Sequence, residues 1–302
     1  MTGHQHHGHG GDVGSRRLGW AVAINMLLTV AQVIGGVLSG SLSLIADALH
    51  NFSDAAGLLL ALVARRISRK PADEQRTFGY GRAEVVGGLI NLTSIMVVAV
   101  YLLVEAITRT FDRPEIDGWI VVIVAGGALL IDTATAVLTY SMSKESINIK
   151  AAFLHNMADV LASVVVIITG TLIILFEWYW TDLLATVGLS IYIVWMSWPP
   201  MKRCIGILMQ STPDDISPDS ISEIILAVTG VKAVAHLHIW PIDERTVSLE
   251  ARIAIRDDTP LTETAAIIDA VRQTLGSNHN ISHVTLEPVP ESKFHSATIV
   301  EH

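Results

Sequence analysis

Long apolar runs alternate with short polar stretches over the first two thirds of the chain, and the last third loses them. Six runs match the roughly 20 residues that a helix needs to cross a ~30 Å hydrocarbon core. They are Leu18–Leu38, Leu42–Ala64, Val85–Ile107, Trp119–Tyr140, Ala151–Leu175 and Leu183–Met201. Their similar lengths and short polar connections predict membrane spans rather than buried helices of a large soluble protein. From Pro213 the pattern changes. Apolar positions follow helical spacing over Pro218–Val228 and Thr262–Leu275, whereas Val231–Trp240, Thr246–Ile255 and Ile281–Leu286 read as strands. The order αββαβ predicts a small sheet with helices on one face.

Charge sharpens this division. Of 302 residues only 16% are charged, against roughly 25% in ordinary globular chains, and mean hydropathy is +0.49. The net charge of −9 is unevenly spread: residues 1–210 hold 14 basic and 15 acidic residues, and residues 211–302 hold 6 and 14. An acidic total excludes a nucleic-acid binder, which needs a basic footprint. The single cysteine, Cys204, excludes an intrachain disulfide and a cysteine-only zinc site.

Twelve of the 14 basic residues before position 211 fall on one side of the six spans, leaving Arg109 and Arg113 on the other. The excess of Lys and Arg marks the cytoplasmic side, so both termini are expected in the cytoplasm, with the protein in a bacterial inner membrane. The first apolar run, behind Arg16 and Arg17, is expected to be retained rather than cleaved as a signal. The expected organisation is a disordered His-rich N-terminus (1–15), a six-helix transmembrane domain (16–210), a cytoplasmic α+β domain of ferredoxin-like type (211–290) and a flexible tail (291–302).

Charges at bilayer depth are costly and mark function. The second run carries His50 and Asp54, and the fifth carries His155 and Asp159. Each pair is His-x-x-x-Asp, and i, i+4 spacing places both side chains on one helical face. Two such helices facing each other supply two imidazoles and two carboxylates around one point, a tetrahedral set suited to Zn²⁺. Packing hydrogen bonds between helices are the bland alternative, but no other histidine lies in any span. Asp47, three residues before His50, is placed to orient that ring or to relay protons. Asp132, Asn25 and Gln32 are further polar residues within spans, the last two suited to hydrogen bonds across helices. Histidines 4, 6, 7 and 9, set among glycines, have a metal-binding composition. The chain has no His-Glu-x-x-His and no phosphate loop ending in Gly-Lys-Ser/Thr. Neither a metalloprotease nor direct ATP drive is expected, and four protein ligands leave no open position for an intramembrane hydrolase. The chain is not expected to be an enzyme or to hold a tightly bound cofactor.

The run from Gly40 through Asn51 into Asp54 resembles the second-helix signature of the cation diffusion facilitator family, proton-coupled exporters of divalent metals. Pro71-Ala72-Asp73, Phe78 through Glu84 and the His155/Asp159 pair are similar to the same family. The resemblance implies Zn²⁺ export by proton antiport with alternating access, from a homodimer joined partly through its cytoplasmic domains. Co²⁺, Ni²⁺ or Cd²⁺ are alternative cargoes, and a non-transporting metal-binding regulator is an alternative of another class. Many relatives carry histidines in the loop after the second helix; Arg76 and Tyr80 stand there in this chain, so an accessory site at Asp73 is expected to be absent. A weak cytoplasmic site from His236, His238, His283 and Glu287 is the remaining candidate, with surface histidines as the plainer reading.

Overall fold

A computed structural model describes residues 26–111, 115–142, 147–279 and 281–294. The His-rich N-terminus, Arg16, Arg17, Asn25, Arg113, Lys144 and the tail beyond Phe294 lie outside the described residues. Among the described residues six helices come first in the chain: α1 (Met26–Ser39), α2 (Leu42–Ser68), α3 (Arg82–Arg109), α4 (Gly118–Met142), α5 (Ile147–Phe176) and α6 (Trp180–Leu208). Among the described residues four segments, Arg82–Arg109, Gly118–Val137, Phe153–Phe176 and Trp180–Leu208, are long and apolar enough to cross a membrane. At 27 residues α2 has the length, but Asp47, His50, Asn51 and Asp54 interrupt its apolar character. The helices overrun the apolar segments because backbone hydrogen bonding continues past the last apolar residue. The largest overrun is in α6, which passes through Pro199-Pro200 to Leu208 although two prolines remove two backbone donors.

Polarity is arranged inside out. Ile90, Val97, Tyr101 and Val104 form an exposed apolar stripe along α3, while Gln32, Ser43, Asp47, Asp182 and Thr186 are buried. Such a surface is suited to lipid, and polar groups buried beneath it must find partners within the protein. Close helix approach is obtained with glycine: a Cβ on Gly118 of α4 would lie 2.7 Å from the Gly170 carbonyl oxygen on α5. A Cβ on Gly36 of α1 would meet the Ile45 side chain of α2 at 2.5 Å. Gly40, at φ +76°, provides the left-handed residue that ends α1.

The chain forms two compact units, Met1–Leu60 with Ile90–Pro199, and Ala61–Leu89 with Pro200–His302. In the second unit, α7 (Pro218–Leu226), β1 (Ala233–Pro241), β2 (Val247–Ile255), α8 (Leu261–His279) and β3 (Ile281–Pro290) follow the ends of α2, α3 and α6. The sheet order is β1-β2-β3, with β1 antiparallel and β3 parallel to β2. Along β2 the alternation is visible: Leu249, Ala251 and Ile253 are buried, whereas Glu250 and Arg252 are exposed. These residues pack with Ile221 and Ile225 of α7 and Ile267, Val271 and Leu275 of α8 in one apolar core. Strand β3 runs past Pro288, where the sequence predicts its end. It lies at the edge of the sheet, where a missing N–H can face away from the ladder.

Candidate metal centre

Helices α2 and α5 each place a histidine and an aspartate one turn apart, and the structure brings the two pairs together. The pairing is reciprocal. His50 Nε2 lies 3.2 Å from Asp159 Oδ1, and His155 Nε2 lies 3.0 Å from Asp54 Oδ2. Within each helix the separations are 3.7 Å for His50 to Asp54 and 3.9 Å for His155 to Asp159. The ring centroids are 5.8 Å apart with planes inclined at 67°. One ligand atom from each of the four residues lies within 4.8 Å of all the others, and among the described residues this is the one such cluster of His, Cys, Asp or Glu. Bonds of ~2.1 Å to a tetrahedral ion require ligand atoms roughly 3.4 Å apart, and the four nitrogen–oxygen separations bracket that value. His50 and Asp159 are buried, whereas the His155 and Asp54 side chains are 32% and 33% exposed, so the reciprocal His155–Asp54 pair is the more accessible of the two.

The match to known families covers nearly the whole chain. Residues 20–209 match the cation efflux transmembrane domain, and residues 213–290 match the cytoplasmic domain of cation efflux proteins. The chain belongs to the cation efflux, or cation diffusion facilitator, family. Among its relatives is the metal cation efflux system protein CzcD of Cupriavidus metallidurans, 34% identical over 95% of this chain and 89% of the relative. A cadmium, cobalt and zinc/H(+)-K(+) antiporter of Bacillus velezensis is 32% identical over 99% of this chain and 95% of its own length. The zinc transporter ZitB of Escherichia coli is 29% identical, covering 91% and 88%.

In this cation efflux protein the buried carboxylates Asp47 and Asp132 have separate partners. Asp47 is buried and accepts a 2.6 Å hydrogen bond from Gln32 Nε2 of α1. Asn51 Nδ2 donates to Gln32 Oε1 at 3.0 Å, so Gln32 ties α1 to two positions on α2. Asp47 is thus bonded toward α1 instead of to the His50 ring. Asp132 of α4 is buried and accepts from Ser163 of α5 at 2.9 Å, one turn beyond Asp159.

One carboxylate escaped the sequence reading. Asp182, in the first turn of α6, is fully buried and faces the start of α2. Its Oδ1 accepts from the hydroxyls of Ser41 and Ser43 at 2.6 Å each, and its Oδ2 accepts from the Leu42 backbone N–H at 2.8 Å. The Ser43 backbone N–H adds a 3.3 Å contact. Ser41 Oγ in turn caps α2 by accepting from the Leu44 N–H at 3.1 Å. A carboxylate at a helix N-terminus satisfies free N–H groups and complements the dipole. The helix that supplies His50 and Asp54 is thereby anchored two turns upstream of His50.

The loop between α2 and α3 is held by side chains. Asp73 Oδ2 accepts from the Tyr80 hydroxyl at 2.6 Å, and Oδ1 accepts from the Gln75 and Arg76 backbone N–H groups at 3.0 and 2.8 Å. The Arg76 guanidinium lies 4.8 Å from the Tyr80 ring centre. The Tyr80 hydroxyl, followed by the Arg76 N–H, holds the Asp73 carboxyl below its usual range, and the same contact pushes the Tyr80 phenol up. Because Asp73 has a depressed folded pKa, its contribution is present above the ordinary value of ~3.9 and is lost as pH falls through the lowered value. Tyr80→Phe is expected to raise amide hydrogen exchange across residues 75–79 at pH 7 and to return the Asp73 pKa upward. Unchanged exchange would show that the hydroxyl does not order the loop.

The four residues expected as a weak second site are not brought together. His236 and His238 lie on β1 with ring centroids 4.6 Å apart, while His283 and Glu287 lie on β3, and β2 runs between. Two strand spacings are roughly 10 Å, too far for one ion to bridge. His283 instead meets Phe78 edge-on at 5.5 Å, and Glu287 accepts a 2.6 Å ion pair from Arg252.

Proposed function

We propose that this protein exports Zn²⁺ from the cytoplasm in exchange for protons, with His50, Asp54, His155 and Asp159 as the transport site. The observation that carries the reading is the reciprocal pairing of two His-Asp pairs at separations that fit one tetrahedral ion. Two carboxylates and two neutral imidazoles carry −2, which a divalent ion cancels; a neutral loaded site is what a low-dielectric setting requires. Without the ion, protons balance the carboxylates. Metal ligation needs deprotonated ligands, so loading releases protons and protonation expels metal. That competition at common atoms is the chemical basis of antiport, and alternating exposure of the site to the two sides makes it vectorial.

The partial exposure of His155 and Asp54 supports access for an ion through that pair. Imidazole with carboxylate favours Zn²⁺ but admits Co²⁺ and Cd²⁺, and the names of the relatives span the same ions. The distribution of Lys and Arg supports both termini in the cytoplasm, and the match to a domain described as dimeric supports a homodimer.

The test is metal-driven proton flux in proteoliposomes under an imposed pH gradient, with Zn²⁺, Co²⁺, Cd²⁺ and Ni²⁺ compared. Zn²⁺ is expected to give the highest flux at low concentration; the absence of flux with all four would leave a non-transporting metal binder. Removing residues 1–12, with their four histidines, is expected to raise the Zn²⁺ concentration for half-maximal flux without lowering its maximum. An unchanged value would exclude a capturing role for that tract.

A further inference from the structure

The membrane-proximal cations of the second unit have no acid to pair with. Arg65, Arg66, Arg69, Lys70, Lys202 and Arg203 sit where the apolar runs of α2 and α6 end, and within the described residues none pairs with a carboxylate. By contrast Arg109, Arg252, Arg256 and Arg272 each do. The contrast is informative in a chain of net charge −9, where acids are plentiful. Asp73, three residues before Arg76, is occupied by the Tyr80 hydroxyl and two backbone N–H groups, and Glu74 makes no ion pair with Arg76 among the described residues.

The second unit holds a cavity of ≈ 310 Å³ whose lining includes Arg76, Arg82, Gln75, Gln210, Phe78 and Trp240. Arg82 donates its Nε–H to the Ile242 carbonyl at 3.0 Å, which fixes the side chain and leaves its terminal nitrogens available. Arg76 is stacked on Tyr80 and, among the described residues, makes no ion pair within 4 Å. Phe78 is 60% exposed. Two guanidiniums suited to bidentate contact with phosphate therefore adjoin an exposed aromatic ring and an indole. By sequence, the lining residues from Gln75 to Arg82 join α2 to α3.

We propose that this cavity binds the headgroup of an anionic phospholipid, with Arg76 and Arg82 on the phosphate and Phe78 against the upper acyl chain. The two arginines of the lining select the anionic headgroup. Charge complementarity names the occupant: a zwitterionic headgroup brings its own cation to a surface that already has an excess.

The experiment is a titration of the detergent-solubilised full chain with short-chain phosphatidylglycerol, phosphatidylcholine and glycerol 3-phosphate. Phosphatidylglycerol is expected to bind, to weaken with added salt, and to outbind phosphatidylcholine. Arg76→Gln with Arg82→Gln is expected to weaken it about 30-fold, from roughly fivefold per basic residue near an anionic surface. Arg256→Gln, just past the end of β2 and paired with Asp258, is expected to change nothing. Should losing the Arg82 contact with Ile242 prevent folding, Arg76→Gln alone carries the test, with about a fivefold loss. Equal binding of both lipids, wild-type binding by the variant, or an equal loss in Arg256→Gln would overturn the proposal. Full competition by glycerol 3-phosphate would also overturn it, in favour of a site for soluble phosphates.

Discussion

Asp159→Ala is expected to abolish Zn²⁺-driven proton flux and to weaken Zn²⁺ binding by more than ~100-fold while leaving the fold intact. The scale follows from metal sites in general, where even an outer partner of a ligand is worth about 10- to 100-fold. Asp159 is a stronger case, because it contacts His50 at 3.2 Å and lies near His155 as well. Its loss removes one of four ligand atoms and one of two negative charges. A bound divalent ion would then sit in the membrane with a net charge of +1, which a low-dielectric setting opposes. Stability is expected to hold, since removing one of two neighbouring carboxylates relieves repulsion in the metal-free state. Isothermal titration with Zn²⁺ and proteoliposome flux read the two effects. Undiminished flux in Asp159→Ala, or in Asp54→Ala, would end the transport model.

The second large effect is expected far from the metal. Asp182→Ala leaves two serine hydroxyls and two backbone N–H groups of α2 without their acceptor in a fully buried position. Hydrogen bonds to a charged group are worth about 1.5–3 kcal/mol each in favourable cases. The serines retain some freedom to find each other (Ser41 Oγ and Ser43 Oγ are 3.2 Å apart). A net destabilisation on the order of 3 kcal/mol follows. Asp182→Asn keeps the shape with one acceptor oxygen and is expected to fall between wild type and Ala. Thermal unfolding in detergent measures the order of the three. Flux should fall in parallel, because α2 loses its anchor upstream of His50 and Asp54. Full stability in Asp182→Ala would show that α2 is held by its apolar contacts alone. The contrast with Asp159→Ala is diagnostic: one variant loses function and keeps its fold, and the other loses both.

How much of this was visible beforehand depends on the range of each interaction. The i, i+4 pairs were legible because helix geometry places both members on one face whatever the rest of the chain does. Their crossed pairing was not, since His50 with Asp159 spans 109 residues and needs α2 and α5 side by side. Asp182 was hidden for the same reason: its partners lie about 140 residues away, and an aspartate opening a span reads as an ordinary first-turn residue. Tyr80 and Arg76 were noted as departures from a metal-ligand pattern, but their local closure onto Asp73 appears only in three dimensions. The proposed grouping of His236, His238, His283 and Glu287 failed to assemble because strand pairing, unlike strand identity, is a long-range choice. A parallel β2–β3 pair with α8 as crossover puts β1 and β3 on opposite edges.

Hydropathy and helical spacing are local, and they alone determined a helical membrane domain, an αββαβ domain and four candidate ligands. Tertiary packing decided which ligand faces which, that α2 is capped from α6, and that His283 stays apart from His236 and His238. The reason is physical: burial and periodicity act along a few neighbouring residues, whereas a buried carboxylate is stable only beside partners that the whole fold delivers.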